Sequence, residues 1–220
     1  MKLDMHIHSS YSRDASAPPE DIILSCKKSG LDGLAITDHN SISGWTEAET
    51  VAKEAGLVFV RAVELSTKDG HVLAYGVHEL VPRGLPVEET IEKVHEAGGL
   101  AVAAHPRRFP SGVGLELART RLFDGIEIIN GGSSPRSNRH ARMVAESKGS
   151  AVTAGSDAHE LDQVGKAYTI VEGVSTEDDV LDAIRKKRTS VGGRSRNASE
   201  GIHYSWEVFV EWIKGDLTRL

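Results

Sequence analysis

A chain of 220 residues, 39% hydrophobic and 26% charged, reads most simply as one domain, 1–220, able to bury a substantial core. Its net charge of −6 argues against binding a long nucleic-acid backbone, and its one cysteine, Cys26, excludes an internal disulfide and a thiolate metal site. No apolar run approaches the roughly 20 residues that cross a bilayer. Met1-Lys2-Leu3 leads at once into chemistry-bearing residues with no charged-then-apolar leader, so a cytoplasmic chain that engages no membrane is expected.

In chain order, 3–7 predicts a strand and 18–29 a helix with proline near its start and Gly30 past its end. Residues 33–37 predict the next strand, and 43–55 a helix closed by Gly56. Strands 57–65 and 71–77 flank Lys68-Asp69-Gly70, a turn signal for a hairpin. An amphipathic helix follows over 86–97, with Val87, Ile91 and Val94 on one face, then strand 100–104 and a loop with a short helix. The remainder predicts strand 125–129, helix 138–148, strands 151–155 and 167–171, and helix 176–187. The basic run Arg185–Arg188 ends that last pattern, where cations favour a helix C-terminus. A terminal helix over 204–213 would carry Trp206, Phe209, Val210 and Ile213 on one side. Such alternation implies an α/β fold built on a parallel sheet, closed or nearly closed into a barrel.

Four of these strands end in the same residue types. Strand 3–7 carries Asp4-Met5-His6-Ile7-His8; strict alternation would put Asp4, His6 and His8 on one face, two imidazoles poised for one metal ion and an acid near enough to orient a ring N–H. The others deliver Asp38-His39-Asn40, His105-Pro106 and Asp157-Ala158-His159. A single histidine after a strand is usually a satisfied polar residue, but four such events point to a metal site at the C-terminal mouth of a barrel. Glu64, ending strand 57–65, can bridge two ions; His71 opens the next strand, and Asp14 can fold back from the first loop. His78, His95, His140 and His203 read as bystanders.

Taken together, Asp4-Met5-His6-Ile7-His8-Ser9, Thr37-Asp38-His39-Asn40, Glu64 with His71, Ala104-His105-Pro106 and Ser156-Asp157-Ala158-His159 resemble the PHP family of polymerase-associated and histidinol-phosphatase domains, across nearly the whole chain and in the family's order. The resemblance implies a distorted (β/α)7 TIM-like barrel of about seven strands and a centre of two or three divalent ions. His6, His8, Glu64 and Asp157 would surround one ion; Glu64, His105 and His71 a second; Asp14, His39 and His159 a third. Imidazole and carboxylate ligands without thiolate suit Zn, Mn or Fe. The chemistry implied is phosphoester hydrolysis by hydroxide bridging the ions, with Asp157 and His159 as candidate catalytic residues.

For the substrate, Arg107, fixed beside His105 by Pro106, is the first candidate for holding phosphate, and Asn130 ends a strand towards the same cavity. The expected substrate is a small phosphorylated molecule: a nucleotide, a nucleoside bisphosphate or a short oligonucleotide. The competing readings are a histidinol-phosphate-type phosphomonoesterase and a non-catalytic or proofreading-like binding module. Oligomeric state is left open.

Overall fold

The computed structural model describes residues 1–195; the expected terminal helix over 204–213, with Trp206 and Trp212, and the bystander His203 lie outside the described residues. Among the described residues nine strands and six α-helices follow the order β1 (Lys2–Ile7), α1 (Pro19–Lys28), β2 (Gly33–Ile36), α2 (Trp45–Ala55), β3 (Val58–Ser66), β4 (His71–Tyr75), α3 (Val87–Glu96), β5 (Leu100–Ala103), α4 (Leu115–Thr120), β6 (Gly125–Asn130), α5 (Pro135–Lys148), β7 (Ala151–Gly155), β8 (Ala167–Val171), α6 (Glu177–Arg185) and β9 (Thr189–Gly193). None of the described helices is long and apolar enough to cross a membrane.

The strands pair in sequence order and β8 returns to β1, closing a barrel of eight strands, with β9 added on β8. Strands β1–β2–β3 and β5–β6–β7 are parallel, while β4 and β8 run against their neighbours. The expected distortion thus comes from two reversed strands, the first of them the expected hairpin partner of β3. Strand β8 pairs with β1 only at Lys2 and Leu3 and with β7 only at Gly155. Nearer the mouth, Asp157 N–H donates to His6 O (2.7 Å) and His8 N–H to Ala158 O (2.9 Å), so seven strand ends ring the opening. The strand β9, too polar and too rich in glycine to read as a strand in the sequence, forms five pairs with β8.

Two apolar layers build the molecule. The outer one joins α1 to α5 to the barrel's outside, through Ile22, Ile23, Trp45, Val87, Ile91 and Ala141 among others. The inner one is formed by Leu3, Met5, Val60, Leu73, Tyr75, Leu100 and Val102, and Val180, Leu181 and Ile184 of α6 plug it from below. The α6 plug is capped by a reciprocal Thr176–Asp179 box and clamped to β3 through Arg61, whose guanidinium donates to Glu177 (2.9 Å). The lower interior is therefore apolar, and the polar residues of the strand ends share the upper half.

One local irregularity decides what β1 presents. Its pairing with β2 shifts between Asp4 and Ile7, a β-bulge. Met5 therefore belongs to the inner layer and Ile7 to the outer one, and His6 next to Met5 also faces inward. The common face expected for Asp4, His6 and His8 does not form. Asp4 instead accepts from the N–H groups of Ser156 (2.8 Å) and Gly165 (2.9 Å), bracing the barrel closure, and its burial raises its pKa to about 6. Tyr75 supports the bulge from below, its hydroxyl donating to Met5 O (2.9 Å).

Across the closure Gly155 approaches so near that a Cβ there would collide with the His6 backbone and Cβ. Gly155→Ala is expected to destabilise the fold by about 3 kcal/mol or more, since backbone rather than a flexible side chain must move. Urea unfolding checks this.

Candidate metal centre

The mouth is built around Glu64, near the end of β3 and 1% exposed. Its Oε1 lies 3.0 Å from His71 Nδ1 and 3.0 Å from His105 Nε2. Its Oε2 lies 3.3 Å from His8 Nε2, 3.5 Å from His6 Nε2 and 3.2 Å from His39 Nδ1. One carboxylate thus faces five imidazoles delivered by four strands and loops. Asn40 fixes its strand against the β2 loop: Asn40 N–H donates to Glu64 O (2.9 Å), and Asn40 Oδ1 accepts from Ser66 N–H (2.9 Å).

Asp157 completes a second side. Its Oδ1 is 3.5 Å from His6 Nε2 and 3.3 Å from His8 Nε2, so both imidazole nitrogens lie between the Glu64 and Asp157 carboxylates. Asp14 holds the rim, its Oδ2 lying 3.2 Å from His39 Nε2 and 3.1 Å from His159 Nε2. All nine residues read from the strand ends and loops, His6, His8, Asp14, His39, Glu64, His71, His105, Asp157 and His159, therefore meet in this mouth. They form four overlapping sets whose donor atoms lie within 4.8 Å of one another: His8, Asp14, His39 and His159; His6, Glu64 and His105; His6, His8 and Asp157; His39, Glu64 and His71.

The backbone is bent to achieve this. His105 (φ 26°), Asn40 (φ 52°) and Asp157 (φ 53°) all occupy the left-handed region that non-glycine residues avoid, a strain that concentrates at functional sites.

Residues 4–148 match the family model described as PHP domain, and residues 135–189 the one described as PHP-associated. The chain belongs to the PHP family. An uncharacterized protein of Methanocaldococcus jannaschii is 39% identical over 144 residues, 59% of this chain and 82% of its own length. A 5'-3' exoribonuclease of Haemophilus influenzae is 39% identical over 149 residues, 66% of this chain but 51% of the relative, so the chain spans about half of that enzyme. Among solved structures, a two-domain Bacteroides vulgatus protein containing a predicted PHP-like metal-dependent phosphoesterase superposes with a TM-score of 0.76 at 18% identity, covering 88% of this chain and 65% of that one. A metal-dependent phosphoesterase fold from Bifidobacterium adolescentis gives 0.63 at 22% identity, covering 84% and 96%.

The donor set of this PHP chain fits divalent cations on a structural criterion. His6 Nε2, His8 Nε2, His39 Nδ1 and His105 Nδ1 are buried without a hydrogen-bond partner. Three of these, all but His105 Nδ1, lie within 3.5 Å of carboxylate oxygens without hydrogen-bond geometry, nitrogen and oxygen donors together as a divalent ion requires. The acids and imidazoles of the mouth also compensate one another's charge. Burial opposes ionisation of Glu64, yet the imidazoles of His71, His6 and His39 hold its pKa well below the usual carboxylate range. Burial likewise opposes ionisation of Asp157, which Arg108 and His6 hold low. Against burial, Glu127, Asp157 and Glu64 raise His6, and Glu64 and Asp14 raise His39 to about 9; burial lowers His105.

The arginines sort differently from the sequence expectation. Arg107 points outward, exposed, with Nη1 3.4 Å from His140 Nδ1. Arg108 is the one that reaches inward, its Nη1 donating to Asp157 Oδ2. Asn130 is fully buried, and its Nδ2 donates to Asp157 Oδ2 (3.2 Å) and Glu127 Oε2 (3.1 Å). Glu127 was not singled out from the sequence. The available signal was a lone acid inside the apolar strand Gly125-Ile126-Glu127-Ile128-Ile129, and it is Glu127, not Asp4, whose carboxylate touches the His6 ring (2.9 Å to Nδ1). Among the bystanders, His95 pairs with Asp124 on the surface.

Adding Mn²⁺ or Zn²⁺ to chelator-treated protein is expected to raise its melting temperature, because an ion bound only by the folded state adds about 2.7 kcal/mol at a hundredfold excess over Kd. An unchanged melting curve would contradict this reading of the donor set.

Proposed function

We propose that this chain is a metal-dependent phosphoesterase hydrolysing a small phosphate ester: a nucleotide, a nucleoside bisphosphate or a short oligonucleotide. The observation that carries the reading is the convergence of six imidazoles with Asp14, Glu64 and Asp157 in one barrel mouth. In this reading two or three ions of Zn, Mn or Fe are held by His6, His8, Glu64 and Asp157, by Glu64, His71 and His105, and by Asp14, His39 and His159. Ions bound there would bring a water to hydroxide near neutral pH and neutralise phosphate oxygens during in-line attack.

The chain supplies the rest. Glu64 presents its two oxygens to two groups of imidazoles. Arg108 and Asn130 fix Asp157 from the side, and Ser12 Oγ lies 3.2 Å from His8 Nδ1 while accepting from His39 N–H (2.8 Å), so the first loop sets both rings. Arg108, at the inner edge of the same cleft, is better placed than Arg107 to meet a substrate phosphate; Arg107 is left for an outer part of the substrate. Asn130 acts through Asp157.

The nucleotide-type substrate is supported by two relatives: the exoribonuclease, and a phosphoribosyl 1,2-cyclic phosphate 1,2-diphosphodiesterase of Eggerthella lenta, 32% identical over 85 residues, 36% of this chain and 32% of that protein. Residues 41–57 between Asn40 and β3 hold only α2 and its short connections, so no inserted domain stands over the mouth there. A pure binding module would not need so many unpaired buried imidazole nitrogens.

The test is phosphate release with Mn²⁺ across nucleotides, bisphosphates, histidinol phosphate and short oligonucleotides. Nucleotide-type substrates are expected to turn over fastest. His8→Ala and Asp157→Ala are expected to cost more than the roughly 10–100-fold typical for losing an outer partner of a metal ligand. Full turnover by either variant, or no release from any substrate, would contradict the proposal.

A further inference from the structure

Glu127 lies in the middle of β6, 1% exposed, and is no member of the ion-holding sets. Its two oxygens nevertheless serve three parts of the mouth. Oε1 contacts His6 Nδ1 at 2.9 Å; a carboxylate only accepts, so Nδ1 carries a proton and Nε2 is the nitrogen that the neutral ring would offer to the cavity. Oε2 accepts from the backbone N–H of His105 at 2.7 Å, at the residue whose φ of 26° most needs an external restraint. The same Oε2 accepts from Asn130 Nδ2 at 3.1 Å, and that amide also donates to Asp157 Oδ2 at 3.2 Å. The mouth has a second division: Asp14 and His159 lie beyond the reach of this carboxylate, paired with each other at 3.1 Å.

Resting on the metal-dependent reading above, we propose that Glu127 is a positioning residue that sets the His6 and His105 positions together, coupling β1, β5 and β6 so that ions at Glu64 and Asp157 load on a preformed pair of imidazoles, while the Asp14–His39–His159 group loads independently of it. The chemistry demands a carboxylate. A glutamine of the same shape would turn its NH2 towards either the His6 Nδ1–H or the His105 N–H, one donor against another. Reversing the Asn130 amide relieves neither clash, because both donors belong to other residues.

The test is equilibrium dialysis of the chelator-treated full chain against Mn²⁺, counting ions per chain, for wild type, Glu127→Gln, Glu127→Asp and Glu127→Gln combined with His159→Ala. Glu127→Gln is expected to weaken one class of ions about 10–100-fold while another class keeps its wild-type affinity. The added His159→Ala is expected to remove that surviving class. Glu127→Asp keeps the charge but is too short to span both contacts; it is expected to fall between wild type and Glu127→Gln, and it carries the comparison if the glutamine variant does not fold. Unchanged binding in both Glu127 variants overturns the proposal. So does a uniform weakening of every ion, the sign of a merely structural role. A wild type that binds no Mn²⁺ overturns the metal-dependent reading itself, and this proposal with it.

Discussion

Five imidazoles turned towards one buried carboxylate are the constraint around which the upper half of the barrel is arranged. Withdrawing an ionised carboxylate from water costs several kcal/mol unless the surroundings return the interaction. Glu64 is compensated from both oxygens: His71 and His105 on one, His6, His8 and His39 on the other. No single element could supply those partners. They come from β1, the loop after β2, the start of β4 and the loop after β5, so the barrel must close before Glu64 is satisfied. The same arrangement leaves buried nitrogens without hydrogen bonds, which a fold selected for stability alone would have paired.

Stability is supplied elsewhere. The lower interior is apolar and sealed by α6, and the outer layer is a continuous packing of helices on strands. That rigid base allows three non-glycine residues at the mouth to hold left-handed backbone conformations. In each case a compensating bond is visible: Asn40 through Glu64 O, His105 through Glu127, Asp157 through His6 O. The bulge in β1 belongs with them, because it turns His6 into the cavity beside Met5 and leaves Asp4 to brace the closure.

Most of the strands and helices, and the nine residues that cluster at the mouth, are legible in the sequence. Apolar runs ending in His or Asp are a composition signal that survives without knowing side-chain directions. Sequence and structure differ where side-chain direction matters. Strict alternation put Asp4 beside His6, whereas the bulge separates them. The place of Arg107 after Pro106 points it towards the site, yet the turn sends Arg108 inward and Arg107 outward. Glu127 has no strand-end position to announce it, since its immediate neighbours are apolar and its histidine partners are 22 and 121 residues away in sequence. Strand β9, polar and glycine-rich, forms because β8 offers a free edge rather than because of its own propensity.

The proposed function requires that Glu64 be shared between ions rather than serve only as a counter-charge to imidazolium rings. Anomalous diffraction at the zinc edge from Zn²⁺-soaked crystals tests this directly. The account expects separate peaks about 2.0–2.2 Å from Glu64 Oε1 and from Glu64 Oε2, with imidazole nitrogens at similar distance. Ordered ions elsewhere in the mouth, with none bound to the Glu64 carboxylate, would contradict it.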